Sequence, residues 1–445
     1  MNNVDFGGME REILKKFIEW MSEPERKPLV VTGVRQCGKT YAIKDFGNRF
    51  FENLAYFNFE GNTALQSIFE YDFDVARIVM ELERYSKQKI TDGKTLVFFD
   101  EIQACPKAIT SLKYFCEDRS GLHVIAAGSL LGVVIRKSEI SFPVGKVERL
   151  QMFPMSFEEF LMAIDDGRSL LEGLSNYDLR RALPEMYTIP LQNYLKLYYV
   201  VGGMPAAVAS FVQENDFEKV DRILKNILLD YGDDFSKHAP PSDIPKLGLI
   251  WDSVPKQLAK DNNKFMFSHV KAGKRAADLE DALQWLFNAG LLHKLECVTN
   301  AELPLSNNAS GTVFKVYMSD VGLLRVKSGI DASTILEETP LYATFKGAFT
   351  ENYVMNELVK QGLHPYFWRS ENKAEIDFLI EIKNELMPIE VKAEEHTKAK
   401  SYGVFCKRFS PKKGFVLSQK NIAVTNDGQT ETLRLPLYLC GKMFR

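Results

Sequence analysis

The sequence contains no CxxC pair. Its six cysteines stand alone at positions 37, 105, 116, 297, 406 and 440, and its six histidines form no cluster. A disulfide framework and a Cys/His zinc site are therefore excluded as organising devices, and a reducing compartment fits best. Long apolar runs are missing as well. No uncharged stretch approaches the ~20 residues that a membrane-spanning helix needs. The opening MNNVDFGGMEREILKKFIEW has no apolar leader core. These absences predict a cytoplasmic protein without membrane insertion, and leave attachment to a membrane through a partner open. Charge of one sign is also lacking. With a formal net charge of -3, the whole molecule has no strong attraction for DNA or anionic lipid, so any nucleic-acid contact must come from a local patch. Internal repeats and low-complexity linkers are absent.

What is present is a chain of 445 residues, more than one ordinary core accommodates, so several domains are expected. Residues 10–24 carry Ile13, Phe17, Ile18 and Trp20 on or near one apolar face, the spacing of a helix. Lys27 and Pro28 then introduce the apolar run Leu29-Val30-Val31-Thr32. Further short strands are expected at 54–59, 95–100 and 122–127, with helices between them. Strands alternating with helices argue for a parallel sheet covered on both faces. This pattern fades after about residue 155. Residues 156–235 read as helices, broken once at Gly202-Gly203-Met204-Pro205. The best loop candidates are 299–311 and 328–340.

The strongest chemical signal is Gly33-Val34-Arg35-Gln36-Cys37-Gly38-Lys39-Thr40, which fits GxxxxGK[ST] at every fixed position. An apolar strand precedes it and a helical pattern follows it. Glycines let the backbone curl so that its N–H groups point at phosphate oxygens. The helix start adds its positive dipole end. Gly33, Arg35, Gln36, Cys37, Gly38, Lys39, Thr40 and Tyr41 are the expected ATP-binding set. Lys39 would reach the β- and γ-phosphates, and the Thr40 hydroxyl would ligate magnesium. The second half of the site is Thr95-Leu96-Val97-Phe98-Phe99-Asp100-Glu101, an apolar strand ending in two carboxylates. Asp100 would hold the magnesium, directly or through water, and Glu101 would polarise the attacking water. A third strand, from His123 to Ala127, ends in Gly128-Ser129. It would lie next to the other two, where Ser129 senses the γ-phosphate or positions water, or else caps the strand.

Together, VTGVRQCGKT, LVFFDEIQ, VIAAGS, FPVGKVERLQMFPMSFEEFL and YYVVGGMPAAV, spread over residues 28–210, resemble AAA-type ATPases of a prokaryotic group with a C-terminal domain of unknown function. The resemblance implies a nucleotide-binding core (1–155), a helical lid (156–235) and a site completed by an arginine from a neighbouring copy in a homo-oligomer. Arg149 and Arg136 are candidates for that arginine, and neither is selected over the other.

Two further patterns follow. Lys274-Arg275-Ala276-Ala277-Asp278-Leu279, the apolar run Ala282–Phe287, the turn Asn288-Ala289-Gly290 and the segment 291–295 look like a winged helix spanning 236–330. Its basic start would suit phosphates, although such modules also serve as protein contacts. In the last hundred residues, Glu351 lies on an amphipathic helix. Asp377 lies on the strand 376–380, and Glu390 and Lys392 share one face of the strand 388–392. If the strands pair in suitable register, Asp377 meets Glu390 and forms a hard-oxygen site for a second Mg2+ or for Mn2+. Lys392 would then stabilise charge on a scissile phosphate. Over about residues 340–420, within a domain expected at 335–445, this resembles the PD-(D/E)XK nuclease fold in its resolvase-like branch, which implies Glu351 as a metal ligand with Asp377 and Glu390, beside Lys392; Ile376 stands in place of the name-giving proline, and Glu375 and Glu381 are alternative carboxylates. Such a fold also persists as a binding module. The basic residues Lys398, Lys400, Lys407, Arg408, Lys412 and Lys413, interleaved with Tyr402, Phe405, Phe409 and Phe415, would suit a phosphate backbone or form a solvated helix face over an aromatic core.

The sequence thus predicts an α/β protein: a P-loop NTPase core of AAA type with a helical lid, followed by winged-helix-like and PD-(D/E)XK nuclease-like domains. ATP hydrolysis would act on or with DNA. The alternative is a regulatory or scaffolding ATPase whose C-terminal domain is an inactive adaptor for a protein partner.

Overall fold

The structure, a computed structural model, describes residues 9–134, 141–175, 177–260, 263–370, 374–393 and 399–444. It divides into two compact units. One comprises Glu10–Pro154 with Asn288–Leu291, and the other comprises Met155–Phe287 with the chain from Leu292 onward.

The first unit contains α1 (Ile13–Ser22), β1 (Leu29–Thr32), α2 (Lys39–Phe50), β2 (Asn53–Asn58), α3 (Thr63–Ser67), α4 (Val75–Ser86), β3 (Thr95–Asp100), α5 (Pro106–Asp118), β4 (His123–Gly128), α6 (Leu131–Val134) and β5 (Glu148–Gln151). The sheet order is β2-β3-β4-β1-β5, and every pairing is parallel. Every residue of β3 and β4 is buried, as expected when helices cover both faces. On one side Phe57, Phe59, Phe69, Phe99 and Phe115 fill the core. Each fully buried ring of this kind contributes roughly 1.5–3 kcal/mol. The four strands expected from apolar runs form within a residue of their expected bounds. β5 was not foreseen because Glu148-Arg149-Leu150-Gln151 alternates on an edge and has no apolar run. The chain enters α4 through Asp74, whose side chain accepts from the amides of Ala76 and Arg77.

The second unit begins with five helices: α7 (Phe157–Met162), α8 (Asp165–Leu174), α9 (Glu185–Val201), α10 (Pro205–Glu214) and α11 (Phe217–His238). Ser156 and Glu159 form a capping box at the start of α7. The break at Gly202-Gly203 has a specific cause. Gly202 has φ 73°, and a Cβ on Gly203 would stand 2.1 Å from the Met155 carbonyl oxygen. The Gly203 amide donates to Asp320 Oδ2 at 2.6 Å, while Asp320 Oδ1 accepts from the Leu323 amide. One buried carboxylate thus anchors this turn and caps a later helix.

The chain continues through α12 (Ile244–Leu258), α13 (Phe267–Val270), α14 (Ala276–Asn288), β6 (Leu292–Val298), β7 (Ala309–Met318), α15 (Val321–Lys327), α16 (Ala332–Leu336) and α17 (Pro340–Lys360). It ends with β8 (Tyr366–Arg369), β9 (Glu375–Ile382), β10 (Glu385–Val391), α18 (Lys400–Phe409), β11 (Lys413–Ser418), β12 (Ala423–Asn426) and β13 (Glu431–Pro436). The segments expected as loops, 299–311 and 328–340, therefore hold the start of β7 and the helix α16. All eight of these strands form one sheet, in the order β12-β13-β11-β10-β9-β8-β6-β7. The hairpin of the expected winged helix, β6–β7, joins β8 through a parallel pairing of Glu296 with Tyr366. It shares a sheet with the C-terminal strands rather than standing apart from them. Arg325, fully buried, locks α15 by donating to the carbonyls of Val200 and Ile330, each at 2.9 Å, and by pairing with Asp221. Among the described residues no helix is long and apolar enough to cross a membrane.

Candidate nucleotide site and C-terminal carboxylate cluster

β1, β4 and β3 are neighbours, so their carboxyl ends deliver three segments to one edge of the parallel sheet, the place where open α/β sheets receive ligands. β1 leads into the loop Gly33–Gly38, β3 ends at Asp100 and β4 ends at Gly128 before buried Ser129. The loop needs its glycines. A Cβ on Gly33 would approach the Met152 carbonyl oxygen to 2.1 Å, and Gly38 has φ 96°. Gln36 takes a left-handed φ of 65° without being glycine, a strained backbone of the kind found at ligand-holding loops. Arg35 and Tyr41 are half-buried and Gln36 is exposed.

The Lys39 ammonium is buried and donates to the carbonyls of Gly33 and Val34, each at 2.9 Å. The Thr40 hydroxyl donates to Asp100 Oδ2 at 2.9 Å. The two expected magnesium ligands therefore touch. Asp100 also accepts from the Tyr56 hydroxyl at 3.0 Å and from the Glu101 amide at 3.1 Å. Burial, and then the Glu101 charge, push the Asp100 carboxyl above its ordinary pKa, against the Thr40 and Tyr56 hydrogen bonds. A buried carboxylate beside a second one, with a hydroxyl on it, is a donor set suited to a hard divalent cation. Glu101 has φ 50° and accepts from Gln103 Nε2.

Four residues of this site had no assigned role in the sequence. Gln103 orients Glu101 and lies under the end of β4, where a Cβ on Gly128 would come within 2.1 Å of its Oε1. Tyr56 reaches Asp100 from β2, and burial followed by Asp100 raises its hydroxyl pKa. The Lys44 ammonium sits 3.5 Å from the Tyr56 ring centroid. Arg11, buried, donates to the carbonyl of Cys37 at 2.9 Å and to that of Phe153 at 2.8 Å, bracing the loop from just before α1. Gln103 ends the quoted LVFFDEIQ and was in view. The others have partners too distant in sequence to be signalled. Of the two candidate arginines, Arg149 is exposed on β5 with its guanidinium 4.1 Å from the Phe142 ring centroid. Arg136 lies outside the described residues.

In the second unit, β9 and β10 pair antiparallel with Phe378 opposite Ile389. This register brings Asp377 beside Glu390, and Asp377 Oδ2 accepts from the Val391 amide at 2.7 Å. Lys392 pairs with Glu390 Oε1 at 2.6 Å. Glu390 is 2% exposed and its Oε2 has no hydrogen-bond partner. The face it was expected to share with Lys392 is therefore interior. Glu351 faces the same cluster from α17 and meets Lys315. Its Oε2 accepts from Asn263 Nδ2 at 2.6 Å, from the Tyr317 hydroxyl at 2.7 Å and from Lys315 Nζ at 3.4 Å. Lys315, 1% exposed, also meets Glu375 Oε1 at 2.9 Å. Burial, then Glu390 and Glu351, push the Asp377 carboxyl well above its ordinary pKa. Burial also raises that of Glu390, against Lys392. Among the described residues no group of three or more His, Cys, Asp or Glu side chains is arranged to hold a metal ion. The alternative carboxylate Glu381 accepts from the Leu305 amide, away from this cluster.

The aromatic residues interleaved with the basic run are core. Phe405 and Phe415 are fully buried, Tyr402 nearly so, and Trp368 packs on Phe405 with centroids 5.2 Å apart. Lys400, Lys407, Arg408 and Lys412 are exposed, while Lys398 lies outside the described residues. At the expected winged helix, Gly290 belongs with the first unit, where its Cβ position lies 3.4 Å from Val34 Cγ1.

Residues 25–161 match the family model of an AAA domain. Residues 192–334 and 346–438 match two domains of unknown function, DUF8612 and DUF4143. Among solved structures, a Walker-type ATPase of Pyrococcus abyssi is similar at 14% identity and a TM-score of 0.45, over 72% of this chain and 95% of that one. The ORC2 protein of Aeropyrum pernix, with ADPNP and ADP, is similar at 13% identity and 0.35, over 76% and 92%. RuvB of Thermotoga maritima is similar at 14% identity and 0.30, over 67% and 91%. No curated protein matches the chain. The first unit is thus a parallel-sheet P-loop core similar to an AAA domain.

Proposed function

We propose that the first unit binds ATP with magnesium and hydrolyses it. The observation that carries this reading is the contact of Thr40 with Asp100, with the Lys39 ammonium held in the loop, at the carboxyl ends of the parallel strands. The amides of the loop from Gly33 to Thr40 receive the phosphates, with Arg35, Gln36, Cys37 and Tyr41 around them. Lys39 exchanges its two carbonyl partners for phosphate oxygens. Thr40 and Asp100 would hold the magnesium, which would supply charge neutralisation at the transferred phosphoryl group. Glu101, oriented by Gln103, accepts a proton from the attacking water, and Ser129 senses the γ-phosphate from the end of β4. An arginine from a neighbouring copy, with Arg149 a candidate, completes the site in a homo-oligomer. Calorimetry with ATP and magnesium tests the reading. Wild type should take up nucleotide and Lys39→Ala should lose most of the affinity. No uptake of either ATP or GTP by folded wild type would end it.

For the second unit we propose a helical lid over 156–235, a winged-helix-like segment over 236–330 and a nuclease-like region over 335–445, acting on DNA. Asp377 and Glu390 would hold a divalent cation, which supplies charge to a phosphodiester, and Lys392 would stabilise the developing negative charge. The unpartnered Glu390 oxygen supports this. Labelled linear and branched DNA incubated with the protein and magnesium tests it. Unchanged DNA and no binding shift at low salt would remove it. A second reading, a regulatory ATPase with an inactive adaptor, is favoured by the burial of the aromatics that would otherwise stack on bases. ATP-dependent recovery of protein partners alone would support it.

A further inference from the structure

Lys315 has no part in the ATP reading, and its position was unforeseen in the C-terminal one. Its ammonium is almost wholly buried, which is costly unless opposite charge surrounds it. It lies 2.9 Å from Glu375 and 3.4 Å from Glu351, with the Phe367 ring centroid at 5.2 Å. Asn263 and Tyr317 hold Glu351 in place for it. The other side of the cluster is built differently. Asp377 receives one backbone amide, and Glu390 receives Lys392 on one oxygen and nothing on the other. Four carboxyl groups, Glu351, Glu375, Asp377 and Glu390, thus face two ammonium groups, Lys315 and Lys392.

We propose that the Lys315 ammonium is a built-in cation of this cluster, standing on the Glu351–Glu375 side, so that the site accepts one divalent cation, on Asp377 and Glu390, and excludes a second. The inference rests on the reading that Asp377 and Glu390 hold a metal. A metal ion displacing Lys315 would have to strand an ammonium in the interior, whereas one on the Glu390 side meets an oxygen with no other partner. Glu351 is accordingly a positioning residue for Lys315, held by two other donors, Asn263 and Tyr317.

The test is a Mn2+ titration of the full chain without nucleotide, followed by electron paramagnetic resonance, comparing wild type with Asp377→Asn. The expected difference is one Mn2+ per chain. A difference of two overturns the role of Lys315 and leaves the metal reading intact, whereas a difference of zero removes the metal reading and this inference with it. Lys315→Gln, with its folding checked by circular dichroism, should take up a second Mn2+ on the freed Glu351 and Glu375. It should also hold the first about tenfold more tightly, since a like charge has left a water-poor site. An unchanged count and affinity in folded Lys315→Gln would overturn the proposal. If that variant does not fold, the wild-type count decides.

Discussion

Replacing Arg11 by methionine keeps the buried aliphatic stem and removes the guanidinium. Two carbonyl oxygens, those of Cys37 and Phe153, then lose donors at 2.9 and 2.8 Å. A buried acceptor left unpaired costs about 1–3 kcal/mol. Water entering beside the loop would recover part of that, so a stability loss of about 2–3 kcal/mol is expected for the first unit. Cys37 directly precedes Gly38 and Lys39, so part of the loss should fall on the loop geometry that receives phosphate. If half of it does, nucleotide affinity falls by about tenfold, since 1.4 kcal/mol is a factor of ten. Calorimetry with a non-hydrolysable ATP analogue and magnesium, beside urea unfolding, reads both quantities. Arg11→Lys, with one compact donor group, should fall between the two. Folded Arg11→Met with affinity within about twofold of wild type would refute the bracing role.

Glu101→Gln should still bind ATP while steady-state turnover drops by about a hundredfold or more, the usual worth of a positioned base; equal turnover would move water activation elsewhere. His123 is buried between Trp20 and Phe51, and desolvation, with Arg26 adding to it, lowers its pKa to about 4 from 6.5. The unfolded chain therefore binds more protons between these values, so stability is complete above pH 6.5 and falls as pH drops toward 4. By pH 5 the loss is up to about 2 kcal/mol, and urea midpoints at pH 7 and pH 5 should converge in His123→Gln relative to wild type. Arg325→Met leaves two carbonyls and Asp221 without their buried cation. It should cost about 3–5 kcal/mol, read as a depressed thermal midpoint.

The loop from Gly33 to Thr40 was legible because its chemistry is local: left-handed backbone, close approach and a following helix all fall within eight letters. The strands around it were legible because buried parallel strands are apolar throughout. The second-unit pair Asp377 and Glu390 was legible as residue types, since a hairpin register needs only two adjacent strands. What could not be read were side chains whose partners come from remote segments. Arg11 looks like an ordinary charge before a helix, and Tyr56 like a strand aromatic. Lys315 sits in a strand that was expected to belong to another domain. Nothing in its neighbourhood of the sequence announces that the helix bearing Glu351 will fold against it, so the reading of Glu351 as a metal ligand did not include that lysine.

The parallel rung between β6 and β8 has a consequence for how this chain comes off the ribosome. Glu296 finds Tyr366 only after β7, α15, α16 and α17 have been made, and a contact so distant along the chain is slow to close. Until then β6 presents an unsatisfied edge, an invitation to promiscuous strand pairing. A fragment ending near residue 330 should therefore aggregate instead of yielding a tidy miniature protein.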